Sequence, residues 1–231
     1  MSGRLIVFEG LDGSGKATQA ALAKARLCSE GFSVKAISFP DYNSKSSALV
    51  QMYLDGELGA PSDVNVYAAS GFYALDRYIS FKKEWQTDYE AGRLIVADRY
   101  ATSNICHQMP KLSRAQWIDY IRWLEYYEYE QLQLPKPTLV VYLDMHPEAA
   151  QKLMAQRYGG DEAKKDLHER DLAYQLKCRE AALFAADTLG WVVVRCSDAQ
   201  HNPYTVTEIA DAAYAAISRC LDAPAQQPGK Y

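Results

Sequence analysis

The sequence predicts an α/β fold in which five parallel strands form one sheet flanked by helices. Short segments rich in Val, Ile and Leu recur between helical stretches. None of them alternates polar with apolar residues, which is typical of parallel strands buried on both faces. The helices between them predict βαβ crossovers in a doubly wound sheet. The five predicted strands are residues 4–8, 33–38, 93–97, 138–143 and 191–196.

Length and composition restrict the organisation of the chain. Its 231 residues, 48% hydrophobic and 23% charged, predict a single globular domain over residues 1–221. Residues 222–231 are rich in Pro, Gln and Gly and predict a disordered tail. The net charge of −4 argues against a nucleic-acid partner, because such proteins are usually basic.

The same composition indicates the cellular setting. No apolar run reaches the roughly 18 residues of a membrane-spanning helix, and the N-terminus leads directly into a predicted core strand. The five cysteines lack a C-x-x-C pair and the four histidines are dispersed, so the sequence indicates no metal cluster built from these residues. Reduced thiols are typical of the cytoplasm. We therefore expect a cytoplasmic protein without a membrane partner.

The segment after the first strand carries the most specific motif in the chain. Residues 10–16 read GLDGSGK, the phosphate-binding pattern G-x-x-x-x-G-K, between a predicted strand and a predicted helix. Gly10, Gly13 and Gly15 allow the backbone to wrap a phosphate and direct N–H groups at it. The helix N-terminus adds partial positive charge, and Lys16 adds a full charge for the β- and γ-phosphates. This P-loop predicts binding of a nucleoside triphosphate.

The motif departs from its usual form at the next position. A Ser or Thr hydroxyl normally binds Mg²⁺ there, whereas this chain has Ala17. Thr18 offers a hydroxyl one residue later, which lies about 100° further round a helix. Either water and other groups hold the metal, or its binding is weakened. The helix that follows carries apolar residues at recurring spacings: Ala20, Leu22, Ala23 and Leu27.

Long insertions follow the second and third strands, where α/β proteins commonly build substrate sites. The first, residues 40–90, adjoins an FPDY segment in which Phe39 is a candidate wall of a site, with a plain turn as the alternative. A predicted helix over 62–90 places Tyr73 and Arg77 on one face. A ring beside a guanidinium suits recognition of a planar base, and a cation–π pair on the surface is the alternative.

A charged pair ends the third strand, at Asp98 and Arg99. Beside a P-loop, Asp98 is a candidate for orienting Mg²⁺ or its waters, and Arg99 for binding a transferring or accepting phosphate. A structural salt bridge is the alternative. The second insertion, residues 100–137, contains an aromatic helix from Trp117 to Tyr129.

A further charged segment lies between two apolar helices. Residues 156–170 read QRYGGDEAKKDLHER and combine two glycines with clustered acidic and basic side chains. This composition suits a mobile lid that brings cations over the phosphates, and a solvated loop is the alternative.

Together these segments resemble the thymidylate kinases, P-loop nucleoside monophosphate kinases that transfer the γ-phosphoryl group of ATP to thymidine monophosphate (dTMP). The resemblance extends from Leu5 to about Ala216. It rests on FEGLDGSGKATQ, FPDY, YALDR, DRYATSN, LPKPTLVVYLD and DLHERD in the family's order. It is most similar to a bacterial subgroup whose P-loop also reads GKATQ, which implies that Ala17 is tolerated. The resemblance implies a P-loop kinase fold with a lid at about 157–170, ATP and Mg²⁺ at the site, and a homodimer.

The resemblance also implies roles for individual residues. Lys16, Asp12, Arg99 and Asp98 would be catalytic, with Asp98 near the metal. ATP would contact the P-loop and the lid through Gly10, Asp12, Gly13, Ser14, Gly15, Lys16, Ala17, Thr18, Arg157 and Lys164. The acceptor, dTMP, would contact Asp12, Phe39, Tyr73, Arg77, Arg99, Ser103, Asn104 and His107.

Within that acceptor site, the resemblance implies that Tyr73 stacks on thymine, Arg77 reaches its carbonyl edge and Arg99 holds the acceptor phosphate. His107 stands where other members usually carry an aromatic residue, near the sugar 2′ position. Some members carry an arginine at the position of Gly13, and members that lack it place the compensating cations in the lid.

Two other kinds of function remain compatible with these residues. A kinase of another monophosphate or of a free nucleoside would use the same P-loop, and the latter needs a carboxylate base, for which Glu9 is a candidate. A regulatory protein that binds the nucleotide without turnover would fit Ala17. The retention of Lys16, Asp98 and Arg99 argues against that alternative.

Overall fold

The computed structural model describes residues 3–157 and 172–223, except for the side chains of residues 154–157. Five parallel strands form one sheet in the order β2-β3-β1-β4-β5. They are β1 (Leu5–Gly10), β2 (Val34–Ser38), β3 (Leu94–Asp98), β4 (Leu139–Asp144) and β5 (Val192–Arg195). The predicted fold class and all five predicted strands are confirmed. The predicted lid, with Lys164, lies outside the described residues, and the single domain with a disordered tail stays a prediction.

Helices cover both faces of the sheet. They are α1 (Lys16–Ser29), α2 (Ala48–Leu54), α3 (Val66–Ser80), α4 (Gln86–Glu90), α5 (Thr102–His107), α6 (Trp117–Glu125), α7 (Pro147–Arg157), α8 (Leu172–Leu189) and α9 (Val206–Asp222). A π-helical segment, Phe81–Trp85, joins α3 to α4, and a second, Tyr126–Gln131, extends α6. Short 3₁₀ turns occupy Lys45–Ser47, Met109–Lys111 and Arg114–Gln116. No helix of the described part is long and apolar enough to cross a bilayer.

Two apolar clusters sandwich the sheet, which explains why the strands read as continuous apolar runs. Leu5 and Val7 of β1 pack in one cluster, while Ile6 and Phe8 pack in the other. Successive side chains of a strand point to opposite faces, so burying both faces requires every residue to be apolar. On α1, the predicted Ala20, Ala23 and Leu27 are buried. Leu22, the fourth apolar residue of that series, is 41% exposed.

The strand register brings the predicted site segments together. Phe8 of β1 and Ser38 of β2 both pair with Asp98 of β3. The P-loop after β1, the loop after β2 and the loop after β3 therefore leave the sheet side by side. Carboxyl ends of adjacent parallel strands are where open α/β sheets bind ligands.

Candidate active site

Two clefts open at the carboxyl edge of the sheet, and they share Asp12, Asp98 and Arg99. The P-loop cleft, of about 530 Å³, lies between the P-loop and the start of α9. The aromatic cleft, of about 420 Å³, lies among α3, α5 and the loop after β2. Two ligands placed in these clefts would meet at the three shared residues.

The P-loop cleft contains most of the residues predicted to bind the nucleotide. They are Asp12, Gly13, Ser14, Gly15, Lys16, Ala17 and Thr18. Gly13 and Gly15 have φ values of 78° and 83°, which glycine adopts without steric cost. Gly10 does not line the cleft. A Cβ there would lie 2.6 Å from Ser14 Oγ and 2.9 Å from the Leu143 carbonyl oxygen, so it permits close packing under the loop.

Lys16 is the main positive charge inside the P-loop cleft. Its Nζ donates to the Leu11 carbonyl oxygen at 2.8 Å and lies 3.8 Å from Asp12 Oδ1. Burial, reinforced by the positive charge of Arg99, lowers the pKa of Lys16 to about 8. A phosphate entering the cleft would therefore meet an ammonium group that is poorly solvated and gains from an anionic partner.

Arg99 lies at the junction of the clefts and is held in a defined position. Its Nη2 donates to Asp12 Oδ1, and its Nη1 lies 3.7 Å from Glu9 Oε1. Its φ of 66° is uncommon for a non-glycine residue, a feature that clusters at functional sites. The same Nη1 approaches His107 Nε2 at 3.0 Å, and because arginine only donates, that imidazole nitrogen accepts. The alternative of a structural salt bridge at this strand end stays open, since Arg99 forms ion pairs with Asp12 and Glu9.

Glu9 is a buried hydrogen-bond acceptor next to Arg99 at this junction. It is fully buried and accepts hydrogen bonds from the hydroxyls of Thr102 (2.9 Å) and Ser103 (2.8 Å) and from the Gly10 amide (3.0 Å). It lines neither of the two clefts. These contacts suit a residue that positions Arg99, and they disfavour Glu9 as the base of a nucleoside kinase.

Asp98 faces both clefts with an unsatisfied oxygen. Its Oδ1 is buried and has no hydrogen-bond partner among residues 3–157 and 172–223. Burial raises the pKa of Asp98 above its ordinary value, although the charges of Lys16 and Arg99 act in the opposite direction. Such an oxygen is suited to a cation or to water bound by one.

The aromatic cleft brings together every residue that the resemblance implied for the acceptor. They are Asp12, Phe39, Tyr73, Arg77, Arg99, Ser103, Asn104 and His107. Tyr53 packs edge-on against Tyr73, with ring centroids 6.3 Å apart. Burial raises the pKa of Tyr73, so its phenol stays neutral at physiological pH. Their common placement does not itself assign their roles, which stay predictions.

The alternative of a surface cation–π pair between Tyr73 and Arg77 was wrong, because Arg77 is buried. Its side chain is only 2% exposed and pairs with Glu128 of the π-helical segment after α6. Sequence reasoning missed Glu128, although a buried arginine requires an anionic partner. The positions do not reveal that partner, because 51 residues separate the two.

The neighbouring Asp76 explains why the YALDR and FPDY segments lie together. Its buried carboxylate accepts from the Asp41 amide at 3.0 Å and from the Ser46 hydroxyl at 2.5 Å. This fixes the loop after β2 against α3. Phe39, which begins that loop, is buried beside Tyr100, with ring centroids 6.0 Å apart.

Two of the histidines come together away from the clefts. His146 after β4 and His201 after β5 stack with ring centroids 3.5 Å apart and an interplanar angle of 8°, and His201 Nδ1 lies 3.1 Å from Glu148 Oε2. The sequence does not indicate this pair, because the four histidines are dispersed along the chain and sequence separation does not report proximity at the sheet edge. The three groups offer metal-ligating atoms within 4.8 Å of one another. Parallel stacked rings cannot both direct an in-plane lone pair at one ion, however.

The fold and the site define a P-loop phosphotransferase with two adjoining clefts. The sequence profile of the thymidylate kinase family matches residues 8–205. The thymidylate kinase of Mycobacterium tuberculosis is 30% identical over 183 residues, which are 78% of this chain and 84% of that protein. The thymidylate kinase of Caenorhabditis elegans is 31% identical over 166 residues, 68% of each chain.

The structural comparison agrees with these sequence relationships. The structure of thymidylate kinase from Candida albicans superposes with a TM-score of 0.68 over 94% of this chain and 92% of that one, at 22% identity. This likeness concerns the fold. The chain belongs to the thymidylate kinase family. It is a nucleoside monophosphate kinase that phosphorylates dTMP with ATP to give thymidine diphosphate.

Proposed function

We propose that phosphoryl transfer takes place where the two clefts meet, with ATP in the P-loop cleft and dTMP in the aromatic cleft. The observation that carries this proposal is the sharing of Asp12, Asp98 and Arg99 by both clefts. In-line transfer requires the donor and acceptor phosphates to lie next to each other, in line, with their negative charge neutralised. A cation at the shared wall meets that requirement.

In this arrangement the P-loop amides and Lys16 hold the β- and γ-phosphates of ATP, and Arg99 holds the acceptor phosphate. Asp12, which now pairs with Arg99, would give up that partner to the phosphate and become available to the sugar hydroxyl. No general base is needed, because the attacking phosphate oxygen is already ionised at neutral pH. The lid cations, Arg157 and Lys164, are proposed to complete the site.

A divalent cation, Mg²⁺, fits the residues at this junction. The buried Asp98 Oδ1 lacks a partner among the described residues, and a hard cation prefers carboxylate oxygen and water. Ala17 offers no hydroxyl, so we propose that Asp98 holds the ion through its waters. When bound, the ion would neutralise charge on the transferring phosphates.

A coupled assay for ADP release tests the placement of the acceptor. ATP and Mg²⁺ would be supplied with thymidine, deoxyuridine, uridine or cytidine monophosphate, and separately with free thymidine. We expect turnover mainly with the thymidine and deoxyuridine monophosphates. Free thymidine should not react, because it lacks the phosphate that Arg99 is proposed to hold. Comparable turnover of free thymidine would contradict the proposal. A free nucleoside needs a general base, and the carboxylate of Glu9, the candidate base, is already occupied by hydrogen bonds from Thr102, Ser103 and the Gly10 amide.

Replacing Tyr73 with Ala tests the stacking role. Stacking of a base on an aromatic ring contributes about 1–3 kcal/mol, so we expect the KM for dTMP to rise roughly 5- to 150-fold. The KM for ATP should stay unchanged, because Tyr73 lines only the aromatic cleft. The Tyr73→Phe variant keeps the ring and is the matched control. An equal rise in both KM values would rule out base stacking.

We propose that the chain forms a homodimer through the outer face of α3. Tyr67, Leu75 and Ile79 are separated by multiples of four residues on this helix and are 37–38% exposed. Gly71 continues the same stripe, and a Cβ there would meet no atom within 4 Å. An apolar stripe of this length on one helix suits isologous packing against a second copy.

The Leu75→Glu variant tests this interface. A carboxylate buried in an apolar contact is strongly disfavoured, so we expect the variant to be monomeric by light scattering where the wild type is dimeric. The Leu22→Glu variant changes an equally exposed leucine on α1 and should stay dimeric. A dimeric Leu75→Glu variant would exclude this face.

The cysteines support the proposal that the chain works in a reducing compartment such as the cytoplasm. None of the five forms a disulfide bond within the described part of the chain, and Cys106, Cys178 and Cys196 are buried. Cysteines that form no disulfide are typical of proteins that stay among cellular reductants.

A further inference from the structure

The buried pair of Arg77 and Glu128 lies against the inner wall of the aromatic cleft. Arg77 donates from Nε to Glu128 Oε2 at 2.7 Å and from Nη2 to Glu128 Oε1, so the contact is bidentate. Both side chains are almost completely inaccessible, at 2% and 0% exposure. A buried pair of this geometry fixes the guanidinium plane and leaves it little freedom to reorient.

Glu128 also determines how the side-chain amide of Asn104 is oriented. Asn104 Nδ2 donates to Glu128 Oε1 and to the Ser70 carbonyl oxygen, both at 3.3 Å. Both partners can only accept, so the NH₂ group must face them. Oδ1 is therefore directed away from Glu128, and no group of the described residues donates to it. Asn104 and Arg77 both line the aromatic cleft, whereas Glu128 does not.

The cleft wall consequently carries a defined pair of hydrogen-bonding groups. Arg77 has five N–H donors, of which Glu128 takes two and the Tyr100 carbonyl oxygen one, at 3.4 Å. Arg77 and Asn104 both line the cleft, so the remaining Arg77 donors and the Asn104 Oδ1 acceptor are the groups that these two side chains can offer to a base there. Thymine and uracil present the complementary pattern, an O4 acceptor beside an N3–H donor. Cytosine presents the reverse, an N4 amine donor beside an N3 acceptor.

We propose that Glu128 is a positioning residue that sets the base specificity of the aromatic cleft. It does so by fixing an arginine donor and an asparagine acceptor in the order that matches thymine and uracil and opposes cytosine. This inference rests on the proposed placement of the acceptor base in that cleft. A site built to match one pattern of donors and acceptors rejects the reversed pattern, because its own polar groups are then left unpaired.

The Glu128→Gln variant tests the inference. At either oxygen position the NH₂ group of the introduced amide faces an N–H donor of Arg77, so the variant no longer fixes the guanidinium and loosens the Asn104 amide that shares Oε1. We expect the ratio of kcat/KM for dTMP to that for deoxycytidine monophosphate to fall at least about 10-fold. The KM for ATP should not change, whereas a general loss of structure would change it as well. The Glu130→Gln variant, exposed on the same π-helical segment, is the matched control and should keep the wild-type ratio.

A buried Arg77 without its carboxylate partner can destabilise the fold, so a second variant is needed. Glu128→Asp keeps the charge but shortens the side chain by one methylene, and should also lower the ratio. A folded variant of either kind with the wild-type ratio would overturn the inference. So would a wild-type enzyme that accepts both monophosphates equally well. A wild-type enzyme inactive on dTMP would instead contradict the proposed function.

Discussion

Replacing Arg99 with Ala is expected to lower kcat by about 10³-fold or more while leaving the protein folded. Arg99 is the guanidinium shared by the two clefts, and an arginine that neutralises a transferring phosphoryl group contributes on the order of 10³–10⁵ in rate. The fold should survive, because the buried Glu9 keeps its hydrogen bonds from Thr102, Ser103 and the Gly10 amide. Steady-state kinetics with dTMP and ATP measure the loss.

A control variant and an unfolding measurement separate a catalytic role of Arg99 from a structural one. Alanine retains a Cβ, so it carries a backbone strain at the positive φ similar to that of arginine. Arg122→Ala removes an exposed arginine on α6 and should have wild-type kinetics. A thermal unfolding curve that shows the Arg99→Ala protein unfolded at the assay temperature would make Arg99 a structural residue.

The Lys16→Met variant is expected to lose about 10²–10³-fold in kcat/KM for ATP. Methionine fills a similar volume but removes the buried charge that is proposed to bind the phosphates, an electrostatic contribution of the size measured for single preorganised donors. A coupled assay over a range of ATP concentrations gives the ratio. Lys24→Met, which removes an exposed lysine from the same helix, is the control and should be unchanged.

The pH dependence provides an independent readout for Lys16. Because kcat/KM reports ionisation of the free enzyme, the wild-type value for ATP should fall as the pH rises through about 8, where Lys16 loses its proton. The sign follows from the charge, since only the ammonium form attracts the phosphates. The Lys16→Met variant should lack this alkaline decline. If the Lys16→Met variant kept the alkaline decline, the decline would come from the ionisation of another group.

The sequence was informative where the physical requirement is local. A strand buried on both faces must be apolar throughout, so Leu5–Phe8 could be read directly. A phosphate-binding loop requires glycine at fixed positions, and Gly13 and Gly15 indeed have positive φ. Because parallel strands end at one edge, the grouping of the P-loop with Asp98 and Arg99 was also predictable.

The remaining parts of the site depend on contacts between distant segments. Glu128 lies in an aromatic stretch that reads as an ordinary core helix, and only the folded chain places it against Arg77 and Asn104. Glu9 reads as a candidate base, yet its neighbours from α5 use its oxygens for positioning. Such pairs follow from packing, and helical or strand periodicity does not encode them.

The convergence of the two clefts at Arg99 is tested most directly by a bisubstrate ligand. Such a molecule joins adenosine and thymidine at their 5′ positions through a chain of phosphates, and its binding can be measured by competition with each nucleotide. If the two clefts adjoin as described, it should displace both an ATP analogue and dTMP, and bind more tightly than either, because one association event fills both sites. Displacement of only one nucleotide, with the other still bound, would contradict the account.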